Sequence, residues 1–233
     1  MTPALPSQLE AAAEISRHAH VGAYATVVLE GAYEEAGDAG RFRVRPGDVL
    51  VHAPFSAHRD LVARARTLVL DLALPFDGRD WRARGRVADP DAIVRVAQRD
   101  PREAAARLIE AFEPLADSEA DLPDLLARDL SDDPSLAIAS WARAKGVSRE
   151  TAWRHFRAAY DVDIAAYRGE ARARRAWRMI VASRAALAEI AAATGFSDQP
   201  HMSRAVKALT GHTPGKWRRH VATSVQDGRR AAG

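Results

Sequence analysis

Two short stretches near the C-terminal end carry side chains suited to reading the edges of base pairs. In a helix following Ser148, Arg149, Glu150, Trp153, Arg154 and Arg157 fall opposite the apolar Ala152 and Phe156. An arginine in that place donates two hydrogen bonds to guanine, a glutamate accepts from cytosine, and a tryptophan packs on thymine methyls or sugars. In a helix following Ser197, the outward set is Gln199, Ser203, Arg204 and Lys207, with His201 at the margin, opposite Met202 and Val206. Glutamine suits adenine. Arg172, Arg174, Arg175, Arg178, Lys216, Arg218 and Arg219 are placed for phosphate, which sets affinity and salt dependence rather than sequence preference. The plainer alternative is that Trp153 covers a neighbouring helix and the arginines meet phosphate alone.

The elements that would position these side chains recur. Ile138, Trp141 and Ala142, then Gly146, Val147 and Ser148, are repeated as Leu187, Ile190 and Ala191, then Gly195, Phe196 and Ser197. Beyond the turn, Ala152, Arg154 and Phe156 correspond to Met202, Arg204 and Val206, and DVDIAAYR corresponds to GHTPGKWR. A glycine with positive φ ends one helix and lets the chain reverse without a Cβ clash, so the next helix crosses closely and projects outward. One such pattern is any helical hairpin; two in a basic region point to duplex DNA. A helix from Asp163 to Ser183 is expected to join the units and offer both recognition helices to successive major grooves, about 34 Å apart.

Charge divides the chain. Residues 1–128 hold 16 Lys/Arg and 21 Asp/Glu, whereas residues 129–233 hold 18 and 10, so the basic half is the candidate polyanion binder. With no cysteine, disulfides, thiolate metal sites, thiol redox sensing and alkyl transfer to a thiol are excluded. No apolar run approaches the roughly 18 residues of a membrane span and the N-terminus has no secretory pattern, so a cytoplasmic location without membrane contact is expected.

From Val21 to Leu72 the pattern turns strand-like, in YATVVLEG, RFRVRPGDVLVHAP and TLVLDLALP. Arg45-Pro46-Gly47-Asp48 predicts a type II turn feeding a strand from Asp48 to His52. AIVRVAQRD, REAAARLIEAFEPL and LPDLLARDL read as short helices, with Leu108, Ile109, Phe112 and Leu115 as a helical apolar stripe for the sheet or a second subunit. Asp133-Pro134 reads as a helix opening.

Residues 134–220 resemble the DNA-binding domain of the AraC/XylS family. GFSDQPHMSRAVKALTGHTPGKWR resembles its second unit almost position for position, WARAKGVSRETAWRHF resembles its first, and Tyr167, Arg172 and Ala176 fall on its connecting helix. Pro200, Met202, Val206 and Asp161-Val162-Asp163-Ile164 depart from the usual pattern, which touches base readout more than fold. The strand region resembles the small cupin barrels that serve as sensors in this family. That resemblance implies a metal held by His18, His20 and His58, although Tyr24 stands where an acidic ligand is expected; otherwise these residues and His52 line an effector pocket.

The expected fold is α+β: an N-terminal small cupin-like β-barrel over residues 1–88, intermediate helices with room for a homodimer contact over 89–130, and a C-terminal all-α domain with two helix-turn-helix units over 131–222. Residues 223–233 read as a disordered tail. The expected function is transcriptional regulation without catalysis, through double-stranded DNA and RNA polymerase, with a small-molecule effector at His18, His20, Tyr24, His52 and His58. No cofactor is required; a divalent metal in the barrel is the less favoured occupant. Alternatives are a cupin metalloenzyme fused to a DNA-binding module and a constitutive architectural DNA binder.

Overall fold

The computed structural model describes residues 2–75, 82–116 and 120–220, so the tail expected at 223–233 lies outside the described residues. Strands β1 (Ser7–Leu9), β2 (Glu14–Ala19), β3 (Tyr24–Glu30), β4 (Tyr33–Gly37), β5 (Gly40–Val44), β6 (Asp48–His52), β7 (Ala57–Val62), β8 (Thr67–Ala73) and β9 (Arg84–Arg86) precede helices α1 (Pro90–Ala97) and α2 (Pro101–Ala111). A short β10 (Glu113–Pro114) follows, then α3 (Leu122–Asp132), α4 (Ile138–Ala144), α5 (Arg149–Tyr160), α6 (Ile164–Ala182), α7 (Leu187–Ala193) and α8 (Gln199–Thr210). Residues 214–220 are again helical.

The chain forms two compact units, residues 1–128 with 150–162, and residues 129–149 with 163–233. The first has antiparallel sheets ordered β1-β8-β3-β6-β9-β10 and β2-β7-β4-β5, an open barrel. Its first sheet is covered on both faces. Val28, Leu50 and Val69 join Tyr33, Phe42, Val44 and Val62 of the second sheet, whereas Val27, Val49 and Leu70 join Ile93, Ala97, Ala104 and Leu108 from α1 and α2. Alternate residues thus enter different cores, which is why these strands read as continuous apolar runs. The turn before β6 is as expected: Gly47 has φ +88° and Asp48 N–H donates to the Arg45 carbonyl at 2.9 Å.

Two expectations need correction. The apolar stripe is helical only through Leu108 and Ile109, because α2 ends at Ala111 and Phe112 is extended. Pro114 disfavours a helical conformation at its predecessor, and Glu113 and Pro114 pair instead with Arg86 and Gly85. The stripe packs on the sheet: Leu108 is in the core, with Ile109 and Phe112 against it. Asp133 does not open a helix; it accepts from the Ser135 N–H at 2.8 Å in a turn, and α4 starts at Ile138 after Ala137.

The second unit is all-α. α8 packs on α6 and α7, and Trp177 meets Trp217 edge-on at 5.6 Å. Its repeat extends to backbone bonds. Gly146 (φ +72°) donates to the Arg143 carbonyl and Val147 to Ala142; Gly195 (φ +76°) donates to Ala192 and Phe196 to Ala191. It extends to side chains as well, since Arg168 donates to the Leu136 carbonyl and Arg218 to the Ala185 carbonyl. Each third helix is thereby clasped to the segment preceding the first helix of its repeat.

Candidate functional site

In α8, Met202 and Val206 are buried, Gln199, His201, Arg204 and Lys207 are exposed, and Ser203 is half-buried. Asp198 caps the helix, accepting from the His201 N–H at 2.6 Å, while Pro200 sits in the first turn where its missing N–H costs nothing. Ser197 Oγ instead lies 3.1 Å from His201 Nδ1, and the His201 ring stands edge-on to Phe196 at 5.1 Å. The α8 face is therefore a helix with cationic and amide side chains outward and a preset margin. Lys216 is exposed with Nζ 3.4 Å from His212 Nδ1; Arg218 is half-buried and engaged with the Ala185 carbonyl. Arg172 donates to the Gly195 carbonyl at 3.3 Å and its guanidinium lies 5.5 Å from the Phe196 ring centre, so it buttresses the turn.

α5, whose residues 150–162 belong to the first unit, buries Ala152, Phe156 and Tyr160 and exposes Arg149, Glu150, Trp153, Arg154 and Arg157. Trp153 is 44% exposed, with the Arg157 guanidinium 5.5 Å from its ring centre.

The five expected barrel residues come together. β2 and β7 pair with His18 opposite His58; the His58 ring centre lies 4.4 Å from that of His18, 5.4 Å from His20 and 4.8 Å from His52. Tyr24 stacks on His52 at 4.2 Å and its hydroxyl lies 3.0 Å from His58 Nε2. Glu35, not among the residues expected from the sequence, is buried on β4 with both carboxylate oxygens 3.0 Å from His52 Nε2 and one 3.2 Å from His58 Nδ1. Asp60 Oδ1 also lies 3.2 Å from His58 Nδ1. Period-two alternation was the available signal: Tyr33, Glu35 and Gly37 share one strand face. Gly37 lets the strands approach, because a Cβ there would lie 2.8 Å from His58 Cβ.

Burial disfavours charge on His58, but hydrogen bonds to Asp60 and Glu35 outweigh it and raise its pKa to about 10. Burial likewise opposes the Glu35 carboxylate, yet His52 and His58 bring it to about 2. His20 is pushed below the usual histidine range by burial and by His58, His18 and His52. Burial, then Glu35, moves the Tyr24 hydroxyl far up, so it stays protonated.

Ligand atoms of His18, His20 and His58 lie within 4.8 Å of one another, as do those of Glu35, His52 and His58. The first set suits a metal with nitrogen ligands. His18 Nδ1 faces the Ser16 carbonyl at 3.0 Å and His58 Nδ1 faces two carboxylates, the outer-shell bonds that fix imidazole tautomers and orient ligands. The second set is wholly buried, with Glu35 bonded to His52 Nε2 and His58 Nδ1, while His52 Nδ1 has no hydrogen-bond partner among the described residues.

Comparisons with known proteins fall on both parts of the chain. Residues 141–220 match the profile of a helix-turn-helix domain family. Among solved structures, the chain is similar to the C-terminal domain of AraT, a response regulator from Geobacillus stearothermophilus, at 19% identity over 43% of this chain and 86% of that one, TM-score 0.40. A transcriptional regulator of the AraC-type DNA-binding class from Chromobacterium violaceum is similar at 29% identity over 37% and 78%, TM-score 0.35. An apo ToxT variant from Vibrio cholerae is similar at 9% identity over 94% and 97%, TM-score 0.42. No curated protein matches at a significant level. Among the described residues, no helix is long and apolar enough to cross a membrane.

Proposed function

We propose that this chain, whose residues 141–220 match a helix-turn-helix domain family, is a DNA-binding transcriptional regulator of the AraC type that reads an asymmetric site under control of an effector bound in the barrel of the first unit, which thus serves as the sensor unit. The observation that carries this reading is the repeat whose two recognition helices each bury one apolar edge and expose the other, cationic edge. Arg204 and Gln199 read bases in one block, Arg149, Glu150, Trp153 and Arg154 read the other, and Lys216 meets phosphate. His18, His20, Tyr24 and His58 form the effector site. The chain works in the cytoplasm, engages RNA polymerase and performs no catalysis.

Selection of bound sequences from random duplexes at a stated salt concentration tests this. Two short blocks one helical turn apart are expected. Arg204→Ala should cost about 1–3 kcal/mol and relax one block, whereas Lys216→Ala should weaken all sequences alike and lower the salt slope. Equal losses on every duplex for both variants would refute the role of Arg204, and sequence-independent binding with a steep salt slope would favour an architectural binder.

A second reading of the barrel is favoured by the outer-shell bonds to His18 and His58: the site holds a divalent metal such as zinc. His18, His20 and His58 would supply nitrogen ligands, and the ion would add Lewis acidity or a fixed charge there. The protein's own contribution is to keep His58 Nε2 directed at the site through Glu35 and Asp60. Stoichiometric metal in the purified protein, lost in His20→Ala, would support it.

A further inference from the structure

We infer that the sensor unit positions the first recognition helix, α5, through the outward neighbours of its own pocket histidines, so that the pocket controls readout of one DNA block. This inference rests on the reading of α5 as a DNA-contacting helix.

The C-terminal turn of α5 is held from three sides within the sensor unit. Arg59 Nη1 donates to the Ala158 carbonyl at 2.8 Å, placing a cation at the negative end of the helix dipole. The Arg17 backbone N–H donates to Asp161 Oδ2 at 3.5 Å. Tyr160 Oη donates to Asp124 Oδ1 at 2.9 Å, and Asp124 is gripped by Arg41 of β5 through two bonds of 3.1 Å.

Arg17 and Arg59 are chain neighbours of His18 and His58, which pair directly across β2 and β7. Successive residues of a strand face opposite ways, so the histidines line the pocket while the Arg59 side chain reaches α5 and the Arg17 backbone N–H meets Asp161. The ladder is irregular between Ile15 and His18, which turns the Arg17 N–H away from strand pairing. The Arg17 guanidinium binds the Ala57 carbonyl at 3.1 Å and Asp38 at 2.7 Å, and Asp38 accepts from the Ala57 N–H at 2.6 Å. An occupant that changes the separation of His18 and His58 therefore moves both anchors.

The second copy supplies an internal control. Where the first has Tyr160 and Asp161, the second has Thr210 and Gly211. Thr210 bonds inside its own unit, to the Val206 and His212 carbonyls and from Trp217 Nε1. Both positions 161 and 211 have positive φ, at 51° and 75°, a conformation that favours glycine. The first copy carries aspartate there in spite of the strain, and its carboxylate accepts from β2. At these two positions the first copy reaches α3 and β2, whereas Thr210 of the second bonds within its own unit.

Hydrogen exchange on the full chain tests this. Arg59→Ala and the near-isosteric Tyr160→Phe should each speed exchange over residues 157–163 by about tenfold, the scale expected for a lost charge-assisted hydrogen bond, leaving residues 190–206 unchanged. His18→Ala, which alters only the pocket wall, should change exchange over the same 157–163 window. Unchanged α5 exchange in Tyr160→Phe and His18→Ala, both folded by circular dichroism, would overturn the inference. On a selected two-block duplex, Tyr160→Phe should alter discrimination in the α5 block and not in the α8 block; equal changes in both would also overturn it. Wild-type protein that binds no duplex would instead sink the regulator reading, while the exchange data still decide whether the pocket anchors α5.

Discussion

Glu35→Gln is the sharpest perturbation of the barrel. In the wild type, a buried carboxylate accepts from two imidazoles, His52 at 3.0 Å and His58 at 3.2 Å. In the variant, the amide oxygen can accept from one imidazole, but the NH2 group then faces the other N–H, donor against donor. The fall of the Glu35 pKa from 4.5 to about 2 corresponds to about 3 kcal/mol of preferential stabilisation of the carboxylate. Breaking a buried pair by removing one partner independently suggests about 3–5 kcal/mol. Because the folded pKa is depressed, this contribution is present above pH 4.5 and disappears as pH falls through about 2. The assay is amide exchange in β4, β6 and β7 of metal-free protein at pH 7, repeated at lower pH. A loss below about 1 kcal/mol at pH 7, or a gap between the two proteins that does not narrow on acidification, would refute the assignment of Glu35 as the ionised centre of the cluster.

The raised His58 pKa has the opposite sign: its contribution is complete below 6.5 and lost as pH rises through about 10, so the metal-free barrel should melt at lower temperature at pH 10 than at pH 6. Gly146→Ala and Gly195→Ala should each cost about 1–2 kcal/mol by thermal melting, from backbone strain alone, because a Cβ meets nothing within 4 Å at Gly146 and only Arg172 Cδ at 3.8 Å at Gly195. Arg168→Ala and Arg218→Ala should each destabilise the helical unit by about 1–3 kcal/mol in urea, without the change in salt slope expected for Lys216→Ala.

How much of this was legible in the sequence depended on the range of the cause. The strands, the turn at Gly47 and both glycine-ended helices follow from local sterics, and the repeat made the helical pairs readable. Phe112 was misplaced because helical period continued past a proline that pairs with Gly85. Glu35 was hidden because nothing near it in the chain shows that His52 and His58 arrive from two other strands. The clasp of Arg218 on Ala185 spans 33 positions and that of Arg59 on Ala158 spans 99, so a count of basic residues gives no hint of either. Arginines that look alike in a row of letters differ in whether a carbonyl already holds them.

The double-sided first sheet also governs how this molecule can be dissected. Its strands come from residues as early as Ser7 and as late as Pro114, and the outer core is closed by Ile93, Ala97, Ala104 and Leu108. A fragment stopped just after β9 would leave Val27, Val49 and Leu70 facing water and present an open strand edge, a template for aggregation. An excised sensor must extend beyond β10 to stay soluble, and even then it lacks the recognition helix that the intact chain returns to it 35 residues later.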